Sequence, residues 1–406
     1  MPHRNMERPT LSLCMIVRDE ASMLPAFFES VTGLWDELVI VDTGSEDETV
    51  SLCEAAGARV VHFEWVDDFS AARNAGLEVA VGEWILFLDA DERPSPEIRD
   101  QIREVTRARD IGAATVVMRN ELPHGNHRDA SLLRLFRSHS SVRFRYPIHE
   151  DISRPVLDRL RATGRSLRHL DGVVRHLGYV RQTMVDRDKK MRDLRMLQRC
   201  LENDPDDLYV HFKLLELARF WDDGPLLRRS AGTALESLRR TSPILLRGLH
   251  YGGDLIVSIV QGHFPGDLQA QLGFLDRWAD GVQPSAILHY WRGQIREQLG
   301  DGAGAEEDFR SAMAVVDSRD VQMSTVRPRM GLCRLAMAQG DMEAAIAHAN
   351  HALDVNPRDP EVITASLALS QITGGDDAAR TLAREYEQLF GRSELIERTL
   401  KALGIR

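Results

Sequence analysis

Short apolar runs alternate with amphipathic segments over residues 11–119, and this alternation constrains the fold more than any other feature of the chain. Five runs have the length and composition of buried strands, and the four segments between them have helical periodicity. The predicted strands are Leu11–Val17, Leu38–Asp42, Arg59–Phe63, Trp84–Leu88 and Ala114–Arg119. The predicted helices are Ala21–Thr32, Asp47–Ala56, Phe69–Val81 and Pro96–Arg107. The alternation predicts an α/β domain with a mostly parallel, Rossmann-like sheet, whose ligands bind at the carboxyl ends of the strands.

The pattern changes between residues 131 and 179. Three shorter strand-like segments, Leu132–Phe136, Val142–Tyr146 and Val173–Tyr179, are separated by arginine-rich connections. We expect these segments to add antiparallel strands to the sheet.

The remainder of the chain has helical periodicity throughout. Three Gly-Asp pairs, at Gly300, Gly340 and Gly375, each separate two apolar helical segments, and their spacings of 40 and 35 residues are close to the tetratricopeptide period. The segment from Leu332 to Pro357 resembles one such repeat. We therefore predict an α/β domain over residues 1–182 and an all-α, tetratricopeptide-like domain over residues 183–406. Stacked helix pairs leave a concave face, which either stabilises the chain or binds a protein partner or acceptor.

Composition narrows the classes of function. A net charge of −11 disfavours general binding of nucleic acid. The charge is uneven, because eleven arginines lie between Arg134 and Arg181 against four acidic residues, and this basic stretch could receive a diphosphate or a lipid headgroup. Four widely separated cysteines without a Cys-x-x-Cys pair favour a reducing cytoplasm. No run approaches about 18 apolar residues, so we expect no transmembrane segment.

Two carboxylates, Asp89 and Asp91, directly follow the apolar run Trp84–Leu88. Side chains at positions i and i+2 can turn toward one point where a strand ends. Paired hard oxygen ligands at the mouth of a parallel sheet suit a divalent cation that carries phosphate. The alternative is a polar turn after a strand, which is common at such positions.

Four segments occur in order within the region from Ser12 to Tyr179. They are Cys14-Met-Ile-Val-Arg-Asp-Glu20, Val39-Ile-Val-Asp-Thr-Gly-Ser-Glu-Asp-Glu-Thr49, Ala72-Arg-Asn-Ala-Gly76 with Gly82-Glu83 following, and Asp89-Ala-Asp91. Together they resemble the family 2 glycosyltransferases of the GT-A fold. The resemblance implies an inverting transferase that uses a nucleotide sugar, commonly a UDP-sugar, together with Mn²⁺ or Mg²⁺.

The resemblance also implies roles for residues around the cation. Asp91 is expected to be the direct carboxylate ligand. His176, on the predicted strand Val173–Tyr179, corresponds to a histidine that reaches back to the metal in members of this family, and His149 is the lesser alternative. Without the resemblance, a histidine on an apolar strand is more often a core residue.

Five residues are assigned to the donor by the same resemblance. Asp42 matches an aspartate that contacts the nucleotide, and Asp89 lies nearer the ribose or holds metal-bound water. Arg73 offers a planar guanidinium to phosphate, unless it is a surface residue of its helix. Arg18 and Glu20 belong to the charged loop that follows the first strand.

An inverting transfer needs a base that deprotonates the acceptor as it attacks. The family places an acidic motif where this chain has Tyr146-Pro-Ile-His-Glu-Asp151. Glu150 is the first candidate and Asp151 the second. Two acidic residues at the start of a helix would give the same sequence without a catalytic role.

Two other functions fit parts of the sequence. The chain could be a scaffold whose α/β domain is inactive and whose helical repeats bind a protein. It could also be a nucleotidyltransferase, although the loop after the first strand, Arg18-Asp-Glu-Ala-Ser22, lacks the glycine-rich, basic character expected of that class.

Overall fold

The computed structural model describes residues 10–121, 127–177, 187–315, 322–391 and 393–405. The chain forms two compact units, Met1–Asn203 and Asp204–Arg406. This arrangement confirms the predicted fold class, an α/β domain followed by a helical one. The proposed boundary at residues 182 and 183 lies outside the described residues. The helix Arg187–Asn203, which the sequence analysis assigned to the helical domain, groups with the first unit.

The first unit contains eight strands and six helices in its described part. The strands are β1 (Leu11–Val17), β2 (Glu37–Asp42), β3 (Arg59–His62), β4 (Trp84–Phe87), β5 (Glu92–Pro94), β6 (Ile111–Glu121), β7 (His127–Arg137) and β8 (Ser166–His176). The helices are α1 (Leu24–Val31), α2 (Thr49–Ala55), α3 (Phe69–Val79), α4 (Pro96–Arg107), α5 (Ser153–Thr163) and α6 (Arg187–Asn203).

The strands form one mixed sheet in the order β3-β2-β1-β4-β7-β6-β8-β5. β3, β2, β1 and β4 are parallel to one another, and β7 is antiparallel to both β4 and β6. The expectation of antiparallel additions is met by β7 and by the pairing of β8 with β5, whereas β8 is parallel to its other neighbour, β6. The difference arises because helix α5, which the sequence analysis did not predict, returns the chain to the starting end of β6 before β8 begins.

The predicted strand Val142–Tyr146 is wrong. This segment forms a single antiparallel bridge between Arg145 and Asp151. The Asn74 side chain instead forms hydrogen bonds with both backbone groups of Phe144. Its Nδ2 donates to the Phe144 carbonyl at 3.0 Å, and its Oδ1 accepts from the Phe144 N–H at 2.8 Å. A neighbouring strand would need those same two groups.

The second unit consists of helices connected by short turns. Its described helices are Leu208–Phe220, Gly224–Arg240, Pro243–Arg247, Gly252–His263, Leu268–Trp278, Ala286–Gln298, Gly302–Ala314, Arg327–Gln339, Met342–Val355, Pro360–Phe390 and Glu394–Ala402, with shorter helical turns at Ala279–Gly281 and Gln322–Val326. No helix in the described ranges of the chain is long and apolar enough to cross a membrane.

The three predicted Gly-Asp pairs mark helix breaks in this unit. Gly300 and Gly340 have φ values of +83° and +81°, which favour glycine, and the aspartate after each accepts a backbone N–H of the next helix. Gly375, with φ +77°, interrupts the long segment Pro360–Phe390. These turns have the helix–turn–helix character that the repeat spacing predicted.

One aromatic ring is enclosed between helices of the second unit. Phe309 is fully buried, and Gly293 and Gly331 lie against its ring. A Cβ atom at Gly293 would lie 2.8 Å from Phe309 Cε1, and one at Gly331 would lie 2.5 Å from Phe309 Cζ. The ring therefore occupies a space that exists because both neighbours lack side chains.

We expect Gly331→Ala to lower the free energy of unfolding by about 1–3 kcal/mol, because the added methyl group overpacks the Phe309 ring. Gly232→Ala is the matched control, since a Cβ at Gly232 has no neighbour within 4 Å. The control should stabilise its helix by up to about 1 kcal/mol through the higher helix propensity of alanine. Denaturant titrations followed by circular dichroism measure both changes. Equal effects of the two substitutions would contradict this account of the packing.

Candidate active site

The segment after β4 carries the two aspartates from the centre of the sheet toward its edge. Four residues, 88–91, join β4 to β5, and β5 pairs with β8 so that Glu92 lies opposite His176. The Leu177 N–H donates to the Asp91 carbonyl at 3.0 Å. The sheet therefore curls at this end, and the register fixes Asp91 beside the end of β8.

Asp91 and His176 form a direct pair. Asp91 Oδ2 lies 3.1 Å from His176 Nε2, and His176 Nδ1 lies 2.8 Å from Asn120 Oδ1. An amide oxygen only accepts, so this second contact requires the proton on Nδ1 and turns Nε2 toward Asp91. The hydrogen bond to Asp91 raises the pKa of His176, although partial burial opposes the shift.

These two residues fit a cation that arrives with phosphate. In the part of the chain that the structure describes, no group of three or more His, Cys, Asp or Glu residues could hold a metal ion. One carboxylate and one imidazole are a suitable partial ligand set for Mn²⁺ or Mg²⁺, which commonly complete their coordination with substrate phosphate and water. His149, the alternative ligand, is exposed on the loop beside Glu150.

A second cluster alternates acidic and basic side chains. Arg73 Nε donates to Glu150 Oε1 at 2.6 Å, and Arg73 Nη2 lies 3.1 Å from Asp89 Oδ1. Arg134 Nη2 lies 3.7 Å from Asp89 Oδ2 and 2.5 Å from Glu92 Oε1. The predicted residues Arg73, Asp89 and Glu150 are thus brought together, with Arg134 and Glu92 joining them.

Arg73 is buried rather than displayed on the surface of α3. It is 6% exposed, and its guanidinium lies 5.3 Å from the centre of the Phe87 ring and 5.6 Å from that of Phe144. Burial acts to lower the pKa of Arg73, but the charges of Asp89 and Glu150 outweigh it and the pKa is raised. Arg73 therefore stays charged and holds the two carboxylates.

Asp89 and Glu92, the two carboxylates beside Arg134, have pKa values that are shifted in opposite directions. Burial acts to raise the pKa of Asp89, but the charges of Arg73 and Arg134 outweigh it, so this pKa is lowered. Glu92 is 2% exposed, and burial raises the pKa of its carboxyl to about 7 even though Arg134 opposes the shift. The lowered pKa keeps Asp89 ionised, whereas Glu92 is close to half protonated at neutral pH.

Helix α3 fixes the loop that carries Glu150. The Ser70 hydroxyl donates to the Tyr146 carbonyl, and the Phe69 N–H donates to the Pro147 carbonyl at 2.8 Å. The Asn74 contacts with Phe144 anchor the start of the same loop. One face of α3 thus holds the loop from Phe144 to Glu150 by side-chain and backbone bonds.

The two candidate bases point to different partners. Glu150 joins the Arg73 cluster, and its Oε2 accepts no hydrogen bond from any residue that the structure describes. The Asp151 carboxylate instead accepts the backbone N–H groups of Ser153 at 3.0 Å and Arg154 at 3.4 Å, at the start of α5. Asp151 therefore stabilises a helix terminus, whereas Glu150 faces the other acidic residues of the site.

Asp42 lies at the end of β2 and is 4% exposed. Its carboxylate accepts the N–H groups of Ser45 at 3.1 Å and Gly44 at 3.3 Å, and its Oδ2 lies 3.5 Å from His62 Nδ1. The aspartate thus shapes the turn that follows β2. One strand, β1, separates it from β4, so the ends of β2 and β4 lie about 10 Å apart.

Arg18 and Glu20 lie on the loop after β1. Arg18 is exposed, and its Nε lies 3.9 Å from Asp19 Oδ2. The Glu20 N–H donates to Thr49 Oγ1 at 2.7 Å, and the Asp19 N–H donates to Ser45 Oγ at 3.0 Å. These bonds tie the loop after β1 to the loop after β2, so that both border the same strand ends.

Three residues of the site were not assigned by the sequence analysis: Glu92, Asn120 and Arg134. Arg134 occupies a β-bulge, because Leu133 and Leu135 pair with the adjacent residues Thr115 and Ala114 and leave Arg134 between them. A bulge redirects a side chain, and no local sequence signal marks it here. Asn120 depends on the β6–β8 register, where it lies opposite His176.

We expect Arg134→Met to lower the free energy of unfolding by about 1–3 kcal/mol, because the buried Glu92 loses its hydrogen-bond donor and becomes protonated. Arg134→Met combined with Glu92→Gln replaces the ionisable carboxyl with a neutral amide and keeps an oxygen that accepts the Asp89 N–H. The double variant should recover most of the loss in a denaturant titration. If it were as unstable as Arg134→Met, the Arg134–Glu92 pair would not be the cause.

Comparisons with known sequences match part of the first unit to a recognised family. Residues 12–155 match the sequence model of the family described as glycosyl transferase family 2. A TPR repeat-containing protein of Synechococcus elongatus is 40% identical over 206 residues, which cover 50% of this chain and 51% of that protein. The prophage-derived glycosyltransferase SunS of Bacillus subtilis is 29% identical over 152 residues, which cover 37% of this chain and 36% of SunS. The chain thus spans about half the length of the first relative and about a third of the second.

Two solved structures show a weaker likeness. The type IV pilus biogenesis factor PilW covers 52% of this chain with 91% of its own length, at 17% identity and a TM-score of 0.42. Glucosyl-3-phosphoglycerate synthase from Mycobacterium tuberculosis, solved with Mn²⁺, UDP and phosphoglyceric acid, covers 45% of this chain with 75% of its length, at 19% identity and a TM-score of 0.35. The match of residues 12–155 to glycosyl transferase family 2 confirms the resemblance that the motif order predicted.

Proposed function

We propose that this chain is a metal-dependent, inverting glycosyltransferase. It would move a hexosyl or N-acetylhexosaminyl group from a nucleotide sugar, a UDP-sugar, to a hydroxyl or thiol of a peptide, a protein or a cell-surface glycan. The observation that carries the proposal is the placement of the Asp91–His176 pair and the Arg73-held Glu150 around one strand end of a family 2 domain.

Asp91 and His176 would hold Mn²⁺ or Mg²⁺ together with the donor diphosphate. When bound, the cation supplies positive charge that offsets the charge developing on the leaving diphosphate. Asp42 and Asp89 would contact the nucleotide, with Asp89 kept ionised by Arg73 and Arg134. Arg18 and Glu20 would border the donor from the loop after β1.

Glu150 would act as the base. Its Oε1 is held by Arg73, which leaves Oε2 to accept the proton of the acceptor hydroxyl or thiol. The deprotonated oxygen or sulfur attacks C1 of the sugar on the face opposite the diphosphate. The bond from C1 to the diphosphate oxygen breaks, the nucleoside diphosphate leaves with the electron pair, and the configuration at C1 inverts.

The helical unit would bind the acceptor or a protein partner. Its stacked helix pairs present an extended surface, which is how tetratricopeptide-like arrays commonly bind peptides and proteins. A repeat surface of this kind does not require the acceptor to be small.

Asp91→Asn should abolish the Mn²⁺-dependent increase in thermal stability that UDP produces, because it removes the carboxylate ligand. Asp89→Asn should keep the dependence on Mn²⁺ while weakening UDP binding about 10- to 100-fold, the cost of losing a charged hydrogen bond. Asp100→Asn makes the same chemical change at a site that is 81% exposed and should behave like the unmodified protein. Identical responses of Asp91→Asn and Asp100→Asn would refute the metal assignment.

Glu150→Gln should slow sugar transfer about 10²- to 10⁴-fold without changing UDP affinity, because the amide cannot accept the acceptor proton. The assay measures UDP release from UDP-glucose, UDP-galactose and UDP-N-acetylglucosamine, with water as the acceptor, in the presence of Mn²⁺. Asp151→Asn is the comparison. Loss of turnover in Asp151→Asn with normal turnover in Glu150→Gln would indicate that Asp151 is the base. The absence of turnover by the unmodified protein with all three nucleotide sugars would contradict the proposed glycosyltransferase activity.

A further inference from the structure

A cavity of about 220 Å³ lies at the end of the first unit's sheet opposite the candidate active site. It is bordered by the starts of β4 and β6, the end of β7 and the second half of α5. Its charged and titratable lining consists of Arg137, His139, Arg159, Arg165 and Glu83. Asp89 follows Glu83 by six positions, a distance of about 20 Å in extended conformation, so the cavity is separate from the site described above.

The charges that line this cavity are unbalanced. Glu83 is its one acidic residue, and this carboxylate is 61% exposed and lies 3.9 Å from Arg137 Nη1. Arg159 and Arg165 make no ion pair with a carboxylate of any residue that the structure describes. Arg165 Nε donates to the Arg109 carbonyl, which leaves its two terminal nitrogens for other partners.

Arg137 holds one wall of the cavity in a fixed position. Its Nε donates to the Ile111 carbonyl at 3.0 Å, its Nη2 donates to the Ala108 carbonyl at 2.9 Å, and its guanidinium lies 4.5 Å from the centre of the Trp84 ring. Burial lowers the pKa of Arg137, and the charge of Arg165 lowers it further. An anion placed between these cations would relieve their mutual repulsion.

A neighbouring arginine shows what an ordinary surface residue of α5 looks like. Arg161 is 73% exposed, lies outside the cavity and pairs with Asp158 at 2.9 Å, one helical turn away. Arg159, which is half-buried, and Arg165, which is exposed at the mouth, differ from it because both line the cavity and neither has a carboxylate within ion-pair distance among the described residues. The arginine-rich stretch of the sequence therefore contains both kinds of residue.

We propose that this cavity is a second ligand site, which binds a small phosphate-bearing anion through Arg159, Arg165 and the wall formed by Arg137. The volume is below the range of about 300–1,000 Å³ that is typical of sites for drug-sized ligands, so it suits a phosphate or diphosphate group. Guanidinium groups offer paired donors to phosphate oxygens, whereas a carboxylate lining would repel them. The phosphate could belong to a free metabolite or to a lipid headgroup.

Calorimetric titration of the full chain with inorganic pyrophosphate tests this proposal. EDTA in the buffer prevents cation-dependent binding at the candidate active site. Arg159→Gln combined with Arg165→Gln should weaken binding about tenfold or more, because two charged donors are lost. Arg161→Gln, the matched control on the same helix, should bind pyrophosphate like the unmodified protein. Circular dichroism melts of all three proteins establish that they are folded.

Two outcomes would overturn the proposal. One is the absence of pyrophosphate binding in the unmodified protein, and the other is equal weakening by the double variant and by Arg161→Gln, which would indicate a general effect of net charge. Vesicles of phosphatidylcholine with and without phosphatidic acid identify the source of the phosphate. Co-sedimentation that needs phosphatidic acid and is lost in the double variant would support a headgroup, and pyrophosphate binding without co-sedimentation would support a free metabolite. Neither result depends on sugar transfer, so failure here and failure of the proposed enzyme are distinguishable.

Discussion

The contact between Arg73 and two carboxylates, Asp89 and Glu150, is the interaction on which the rest of the candidate active site depends. Asp89 follows β4, Glu150 comes from a loop more than 60 residues later, and Arg73 belongs to a helix that precedes both. Each carboxylate would be costly to bury alone. A guanidinium between them makes their proximity favourable, and the rings of Phe87 and Phe144 keep water from replacing it.

Ser70, Asn74 and Gly76, the residues of α3 around Arg73, each have a distinct contact in the structure. Arg73 holds the carboxylates, and Asn74 holds the backbone of Phe144. At Gly76 a Cβ atom would lie 3.1 Å from Val41 Cγ2, so a small residue lets the helix approach β2 closely. Ser70 holds the carbonyl of Tyr146. A short stretch of one helix thus joins the sheet to the loop that carries Glu150.

Much of the fold was predictable because it follows from local patterns. The bounds of β1 and α4 agree with those expected from apolar periodicity, and in the structure Ser95 caps the start of α4. The Gly-Asp turns of the second unit were equally visible in the sequence. The strand predicted at Val142–Tyr146 is wrong because the backbone of Phe144 is hydrogen-bonded by Asn74, a residue 70 positions away, and such a contact leaves no periodic pattern in the sequence. Helix α5 differs, because Val156 and Leu160, its buried residues, are spaced by one helical turn and form a local signal that the sequence analysis did not use. Arg134 and Asn120 were missed because their positions depend on a bulge and on strand register.

The bulge in β7 makes the length of that strand part of the site. Side chains alternate faces along a strand, so removing one residue would restore a regular ladder with β6 and move every later side chain to the opposite face. The apolar residues Leu135 and Phe136 fill the core on either side of the sheet and leave little tolerance for that shift. Insertions and deletions in this strand are therefore constrained twice, once by packing and once by the position of Arg134. Two chains of this type could share every charged residue of the site and still differ in the charge around Asp89, solely through the number of residues in one strand.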